Sequence, residues 1–235
     1  MKAVVFVDVQ KDFIDGALRN EKAIEVTPKI IEFAKKCAAD PNCKLYATRD
    51  THVATKYSLN SDAVIDPGGE LVPVSGYYAS LEGKKLPVEH CIEGTPGWMI
   101  DDRLMDAFFA GFAKDETCAE DKEHPVYNCT FVNKPTFGSF DLAAIINEDF
   151  FETYQYAEDF RCPIKCLPRV EDEKLGEIVL IGFCTDICVV SNALLLRAKF
   201  PNVKISVISD LCAGTSVENH KAALKVMQTC QIDVI

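Results

Sequence analysis

Short apolar runs rich in β-branched residues recur along this chain, and segments of helical periodicity separate them. "KAVVFV" (Lys2–Val7) is apolar without alternation after its lysine, as a strand buried on both faces should be. "KLYAT" (Lys44–Thr48), "CTFVN" (Cys129–Asn133), "EIVLIG" (Glu177–Gly182), "KISVIS" (Lys204–Ser209) and "IDVI" (Ile232–Ile235) read the same way. Between them lie "TPKIIEFAKKCAA" (Thr27–Ala39), "SFDLAAIINEDFF" (Ser139–Phe151), "DICVVSNALLLRAKF" (Asp186–Phe200) and "SVENHKAALKVMQTC" (Ser216–Cys230). Their apolar positions recur at three and four residues, and Thr27, Ser139, Asp186 and Ser216 offer polar helix starts. Strands alternating with helices predict an α/β fold: a parallel sheet covered on both faces. In such sheets ligands sit beyond the carboxyl ends of the strands, near the switch in strand order.

That rule singles out polar residues at strand ends. Asp8 ends the first run, Asp50 and His52 follow the second, Lys134 the third, Cys184 to Cys188 the fourth, and Ser209 and Asp210 the fifth. The segment Thr51–Thr130 interrupts the alternation. Within it Asn60–Gly76, rich in Gly, Pro, Ser and Asp, reads as a surface excursion or lid rather than a second core.

The chain of 235 residues is 48% hydrophobic, enough for one core, and residues 1–235 are expected to form a single domain. No stretch approaches the roughly 20 apolar residues of a membrane span, and Asp8 breaks the apolar start, which lacks a small-residue cleavage site. A cytoplasmic protein is the expectation. Eleven cysteines in such a chain argue against a disulfide framework and for small buried hydrophobes. A net charge of -11 argues against a nucleic-acid partner and leaves a small neutral substrate open.

Several side chains carry candidate chemistry. If Asp186 caps the helix, Cys188 lies in its first turn, where unpaired N–H groups favour a thiolate and can hold an oxyanion. Cys184 belongs to the preceding turn. The bland alternative makes both cysteines packing residues. Their C-x-x-x-C spacing is not that of zinc ribbons or thioredoxin-like sites. Asp8, at a partly dry strand end, suits a proton shuttle, or merely caps the next turn. Lys134 precedes a proline and is held extended, placed to pair with Asp8 or to remain a solvated lysine. Asp50 and His52, two apart, share one side of an extended chain. With His90 they make a competent three-ligand set for zinc, iron or manganese. His124 and His220 fit no constellation, Cys162 and Cys166 read as structural, and the single tryptophan, Trp98, suits either core or site lining.

Taken together these motifs, in chain order, resemble the isochorismatase-like cysteine hydrolases, and within them the nicotinamidase branch. "VFVDVQKDF" resembles the family's first strand, "TRDTH" and "LPVEHCIEGTPG" its metal segments, "NKPTFGSF" its lysine segment and "IGFCTDICV" its nucleophile segment. The resemblance implies a three-layer Rossmann-like sandwich with a mostly parallel six-stranded sheet in the order 3-2-1-4-5-6. It implies Asp8 as general base, Lys134 as its cationic partner and Cys188 as nucleophile. It also implies an oxyanion hole at Thr185 and Cys188, shaped by a cis bond expected between Cys184 and Thr185. Asp50, His52 and His90 become ligands of a divalent metal, zinc first, with iron or manganese as alternatives. Gln10, Phe13 and Cys184 lie near a small-molecule amide substrate, and a homo-oligomer is expected.

Three departures bear on the substrate. Leu86 stands where an aromatic wall is common, so that the wall is either missing or supplied by Trp98 or Tyr77. Lys56, Tyr57 and Ser58 stand where some members place another histidine. The Asn60–Gly76 segment is longer than usual. Nicotinamide hydrolysis is the leading expectation. The rivals are hydrolysis of another small amide, carbamoyl or ureido, and a non-catalytic thiol-rich binding or redox protein on the same fold.

Overall fold

The computed structural model describes residues 1–52, 63–65, 71–73, 88, 90–109, 128–151 and 175–235, with 63–65, 71–73 and 109 described through their backbone. Tyr77, Leu86, Lys56–Ser58, His124, Cys162 and Cys166 lie outside these residues.

Eight strands and six α-helices are described: β1 (Lys2–Val7), α1 (Lys11–Ile14), α2 (Glu21–Ala38), β2 (Cys43–Asp50), β3 (Ala63–Ile65), β4 (Leu71–Pro73), α3 (Asp102–Phe109), β5 (Cys129–Lys134), α4 (Phe140–Phe150), β6 (Glu177–Phe183), α5 (Val190–Lys199), β7 (Lys204–Ala213), α6 (Val217–Thr229) and β8 (Asp233–Val234). Six of the strands form one parallel sheet, ordered β5-β2-β1-β6-β7-β8. Counted along the chain, that is the expected order 3-2-1-4-5-6. Within the Asn60–Gly76 segment, β3 and β4 pair as an antiparallel two-stranded sheet. No described helix is long and apolar enough to cross a membrane.

The unbroken apolar runs follow from two cores. Ala3, Val5 and Val7 of β1 join Leu142 and Ile146 of α4, Ala193 and Leu196 of α5 and Met227 of α6 on one face. Val4 and Phe6 join Val26, Ile30 and Ala34 of α2 and Leu104 and Phe108 of α3 on the other. Successive strand residues point to opposite faces, so both parities of β1 must be apolar. Ser139 and Ser216 cap α4 and α6, accepting from the N–H of Leu142 and Asn219.

Two helix starts differ from expectation. The helix read from Thr27 begins at Glu21, capped by Asn20, whose side chain accepts from the N–H groups of Lys22 and Ala23. Thr27 lies inside it and donates its hydroxyl to the Ala23 carbonyl at 2.6 Å. Pro28 at the seam mimics a helix start, but the apolar stripe Ala23, Val26, Ile30, Ile31 and Ala34 carries the helix through it. Asp186 does not cap α5. A π-helical turn, Thr185–Val189, follows a Cys184 cap and runs into α5. The fifth strand extends to Ala213, so Ser209 and Asp210 lie within β7 rather than beyond it.

Candidate active site

The strand register brings the candidate side chains to one edge. Val7 pairs with Thr48 and with Gly182, and Asp50 pairs with Lys134, so β1, β2, β5 and β6 end together. Gly182 is required there: its φ is +120°, and a Cβ would fall 2.1 Å from the Val7 carbonyl oxygen.

Asp8 follows β1 with φ of 49°, a left-handed conformation that aspartate tolerates better than most residues. Thr48 fixes it. The Asp8 N–H donates to the Thr48 carbonyl and hydroxyl oxygens, each at 3.2 Å, and the Thr48 hydroxyl donates to Asp8 Oδ1 at 2.7 Å. Asp8 Oδ2 lies 2.6 Å from Lys134 Nζ, and both side chains are buried. The same ammonium lies 3.7 Å from Cys188 Sγ and 3.8 Å from Asp50 Oδ1.

The electrostatics define the resting proton state. Burial pushes the Asp8 carboxyl up, against the pull of Lys134 and the Thr48 hydroxyl. Burial alone would lower the Lys134 ammonium, but Asp8, Cys188 and Asp50 outweigh it and hold Lys134 charged. Burial also raises the Cys188 thiol well above its ordinary value, with Asp8 and Asp50 adding to it and Lys134 opposing. The sequence places Cys188 in a helix's first turn, a position that favours a thiolate. Here desolvation and two carboxylates oppose that ionisation more than one ammonium favours it. Cys184 is likewise pushed up to about 12, by burial and then by Asp186.

Beside this cluster, Asp50, His52 and His90 bring one ligand atom each within 4.8 Å of one another. Asp50 Oδ2 lies 3.1 Å from His52 Nε2 and 3.4 Å from His90 Nε2. His90 Nδ1 is 2.7 Å from the Val88 carbonyl oxygen, which can only accept, so Nδ1 carries a proton and Nε2 is the atom left to face Asp50 or a metal. Burial would raise Asp50, yet Lys134 and the two imidazoles outweigh it and hold the carboxylate well below its usual range. Two imidazoles and one carboxylate, buried and convergent, could hold a divalent metal.

These ligands are braced from the β1–α1 segment. The Gln10 side chain accepts from the Asp50 N–H at 2.7 Å and donates to the Asp50 and Trp98 carbonyls, each at 2.8 Å. Its amide is thus bonded to the backbone of Asp50 and Trp98. Asp12 accepts the Cys91 N–H at 2.7 Å, one residue past His90, and the Ala17 N–H at 2.9 Å. Gly97 lets the chain pass this carboxylate, since a Cβ there would fall 2.1 Å from Asp12 Oδ2. Phe13 packs edge-on against His90, with ring centroids 5.8 Å apart. Trp98 donates from Nε1 to the Thr51 hydroxyl at 2.9 Å, and the Arg49 guanidinium lies 4.2 Å over its ring.

The turn that carries Cys188 differs in two details from what the sequence suggested. The cis peptide joins Phe183 to Cys184, one bond earlier than expected. Asp186 turns away from the helix start, and its carboxylate accepts from the N–H and hydroxyl of Thr215. The turn's backbone closes on Cys184, whose carbonyl accepts from Ile187 and Val189 at 3.1 and 3.0 Å.

Sequence reading missed three supports: Asp12, Asn192 and His220. Asp12 stood in the quoted "VFVDVQKDF" but offered no separate signal. Asn192 stands one turn past Cys188, a spacing that could have flagged it. His220 Nδ1 lies 2.8 Å from Thr185 Oγ1. Burial lowers the His220 pKa from its ordinary 6.5, helped by Lys22 and Lys221 against Asp186 and Asp210. With the folded value below the unfolded one, its stabilisation is present above 6.5 and lost as pH falls through the folded value. Thermal denaturation from pH about 7.5 to about 5 should therefore destabilise the wild type more than His220→Gln. Parallel losses would show that His220 titrates as in the unfolded chain.

Comparisons with known proteins meet this site from sequence and from fold. A model of the isochorismatase domain matches residues 168–235. The chain is 24% identical over 239 residues to the nicotinamidase of Schizosaccharomyces pombe, covering 99% of this chain and 92% of that protein. It is 24% identical over 235 residues to the nicotinamidase/pyrazinamidase of Mycobacterium tuberculosis, covering 100% and 98%. Among solved structures, nicotinamidase/pyrazinamidase from Bacillus subtilis superposes with a TM-score of 0.63 at 20% identity, covering 99% of this chain and 98% of that one. Pyrazinamidase of Pyrococcus horikoshii, solved in complex with zinc, gives 0.61 at 18% identity, covering 100% and 98%. The fold is isochorismatase-like, and the family resemblance read from the motifs holds, with relatives in the nicotinamidase branch.

Proposed function

We propose that this protein is a metal-assisted cysteine amidohydrolase that converts nicotinamide to nicotinate and ammonia. The observation that carries the reading is the buried contact of Lys134 Nζ with Asp8 at 2.6 Å and Cys188 at 3.7 Å, beside the Asp50, His52 and His90 group.

Asp8 takes the Cys188 proton as Sγ attacks the carboxamide carbon, and its raised pKa suits that exchange. Lys134 stays charged and offsets the negative charge passed between Cys188 and Asp8. Backbone N–H groups of Thr185 and Cys188 hold the oxyanion. Protonated Asp8 then gives its proton to the departing nitrogen, which leaves as ammonia and a Cys188 thioester. Asp8 next deprotonates a water, which cleaves the thioester, and the returned proton restores the thiol. Asp50, His52 and His90 would hold a divalent metal, which would supply a Lewis-acid contact for a pyridine nitrogen. Zinc suits this donor set first, with iron or manganese as alternatives. Phe13 and Trp98 flank the ligand group and serve as walls of the ring site.

Alignment along nearly the whole of both curated relatives supports one domain over residues 1–235, with the 60–76 segment as an elaboration. A cytoplasmic homo-oligomer completes the proposal.

The test is ammonia release from nicotinamide by the purified, metal-loaded protein, repeated after chelation and after adding back zinc, iron(II) or manganese(II). We expect turnover that chelation abolishes and one of these ions restores. A metal-loaded protein with Cys188 reduced that releases no ammonia would overturn nicotinamide as substrate.

A further inference from the structure

Asn192 is fully buried on α5, one turn beyond Cys188, and takes no part in the chemistry above. Its side chain nevertheless touches both halves of the catalytic cluster. Oδ1 accepts the Ser139 N–H at 3.0 Å, and Nδ2 donates to the Phe137 carbonyl at 3.1 Å and the Cys188 carbonyl at 2.8 Å. Phe137 and Ser139 belong to the loop that leaves Lys134 and ends at the cap of α4. The loop is pressed onto α5: a Cβ on Gly138 would fall 2.6 Å from Leu195 Cδ1 and 3.3 Å from Ser191 Cβ. One amide therefore joins the segment that delivers the ammonium to the turn that delivers the sulfur. An interior amide that uses three of its four hydrogen-bonding positions fixes geometry in a way that apolar packing alone cannot.

We propose that Asn192 is a positioning residue that sets the separation of Lys134 Nζ from Cys188 Sγ by tying the 135–139 loop to the nucleophile turn. The inference rests on the reading of Cys188 as nucleophile, but it does not depend on which amide is cleaved.

The test is a double-mutant cycle on the metal-loaded protein, read by the rate at which iodoacetamide alkylates Cys188 at one fixed pH, located by peptide mass. Asn192→Ala removes all three bonds. Asn192→Ser is the milder variant: its hydroxyl can still reach the Cys188 carbonyl one turn back but not the loop. Each is made with Lys134 intact and with Lys134→Met. We expect both Asn192 variants to change the alkylation rate at least about fivefold when Lys134 is present, and less than about twofold when it is absent. With nicotinamide, kcat should fall on the order of 10- to 100-fold, with KM held within about twofold. Equal effects in the two backgrounds would make Asn192 merely structural and overturn the proposal. A coupled alkylation result in a protein that leaves nicotinamide intact would uphold the positioning role and refute the substrate.

Discussion

The Cys188→Ala protein should lose ammonia release by on the order of 10⁴-fold or more while remaining folded. Asp8 and Lys134 stay paired in this variant, because their 2.6 Å contact does not involve the sulfur. The cavity left by one sulfur atom is small, and it removes a buried thiol whose ionisation the site opposes. Circular dichroism should match the wild type, and the thermal midpoint should move by no more than about 5 °C. Turnover that survives the substitution would sink the thioester mechanism, whatever the substrate.

Lys134→Met should damage both activity and stability. Asp8 and Lys134 are 0% and 1% exposed, so the substitution strands a carboxylate in the interior with Asp50 close by. Breaking a buried ion pair from one side costs about 3–5 kcal/mol, most of it the desolvation of the charge left behind. Urea denaturation of the metal-loaded protein should show a loss of that size, together with the collapse of turnover. The pair Asp8→Asn with Lys134→Met should recover much of the stability and none of the activity, since the stranded charge is gone and so is the base. A loss below about 1 kcal/mol in the single variant would mean that the ion pair is not closed in solution.

The sheet was legible because each strand is buried on both faces, which writes an unbroken apolar run into the sequence; Val4 and Phe6 face one core and Val5 and Val7 the other. The candidate site residues Asp8, Asp50 and Lys134 were legible because the fold places them at strand ends, where a polar residue follows an apolar run. Helix starts were read less well. Thr27-Pro28 has the local chemistry of a beginning, and the stripe that overrides it can be judged only against the sheet beneath. Asp186 was misassigned for a similar reason: a carboxylate two residues before the nucleophile looks like a cap, whereas its partner, Thr215, lies on the β7–α6 connection. Proton states were beyond local reading as well. Whether Cys188 rests as thiol or thiolate depends on the balance of Lys134, Asp8 and Asp50, which no short motif contains. Asn192 and His220 act across 53 and 35 residues of chain, and nothing beside them in the sequence marks those partners.

The braces supplied by Gln10 and Asp12 also bear on how such a site can vary. His52 and His90 stand at the two ends of a long connection, and described parts of the chain outside it hold both ends. Gln10 grips Asp50 and Trp98, Asp12 grips Cys91, and a parallel bridge joins His52 to Ile92 directly. The ends are thus already closed by other parts of the chain, and lengthening what lies between them adds only a closure entropy that grows with the logarithm of its length, about 0.6 kcal/mol per doubling. Insertion and divergence between the ligand segments are therefore thermodynamically cheap. The length of chain between His52 and His90 can change while Gln10, Asp12 and the His52–Ile92 bridge keep the two segments in register.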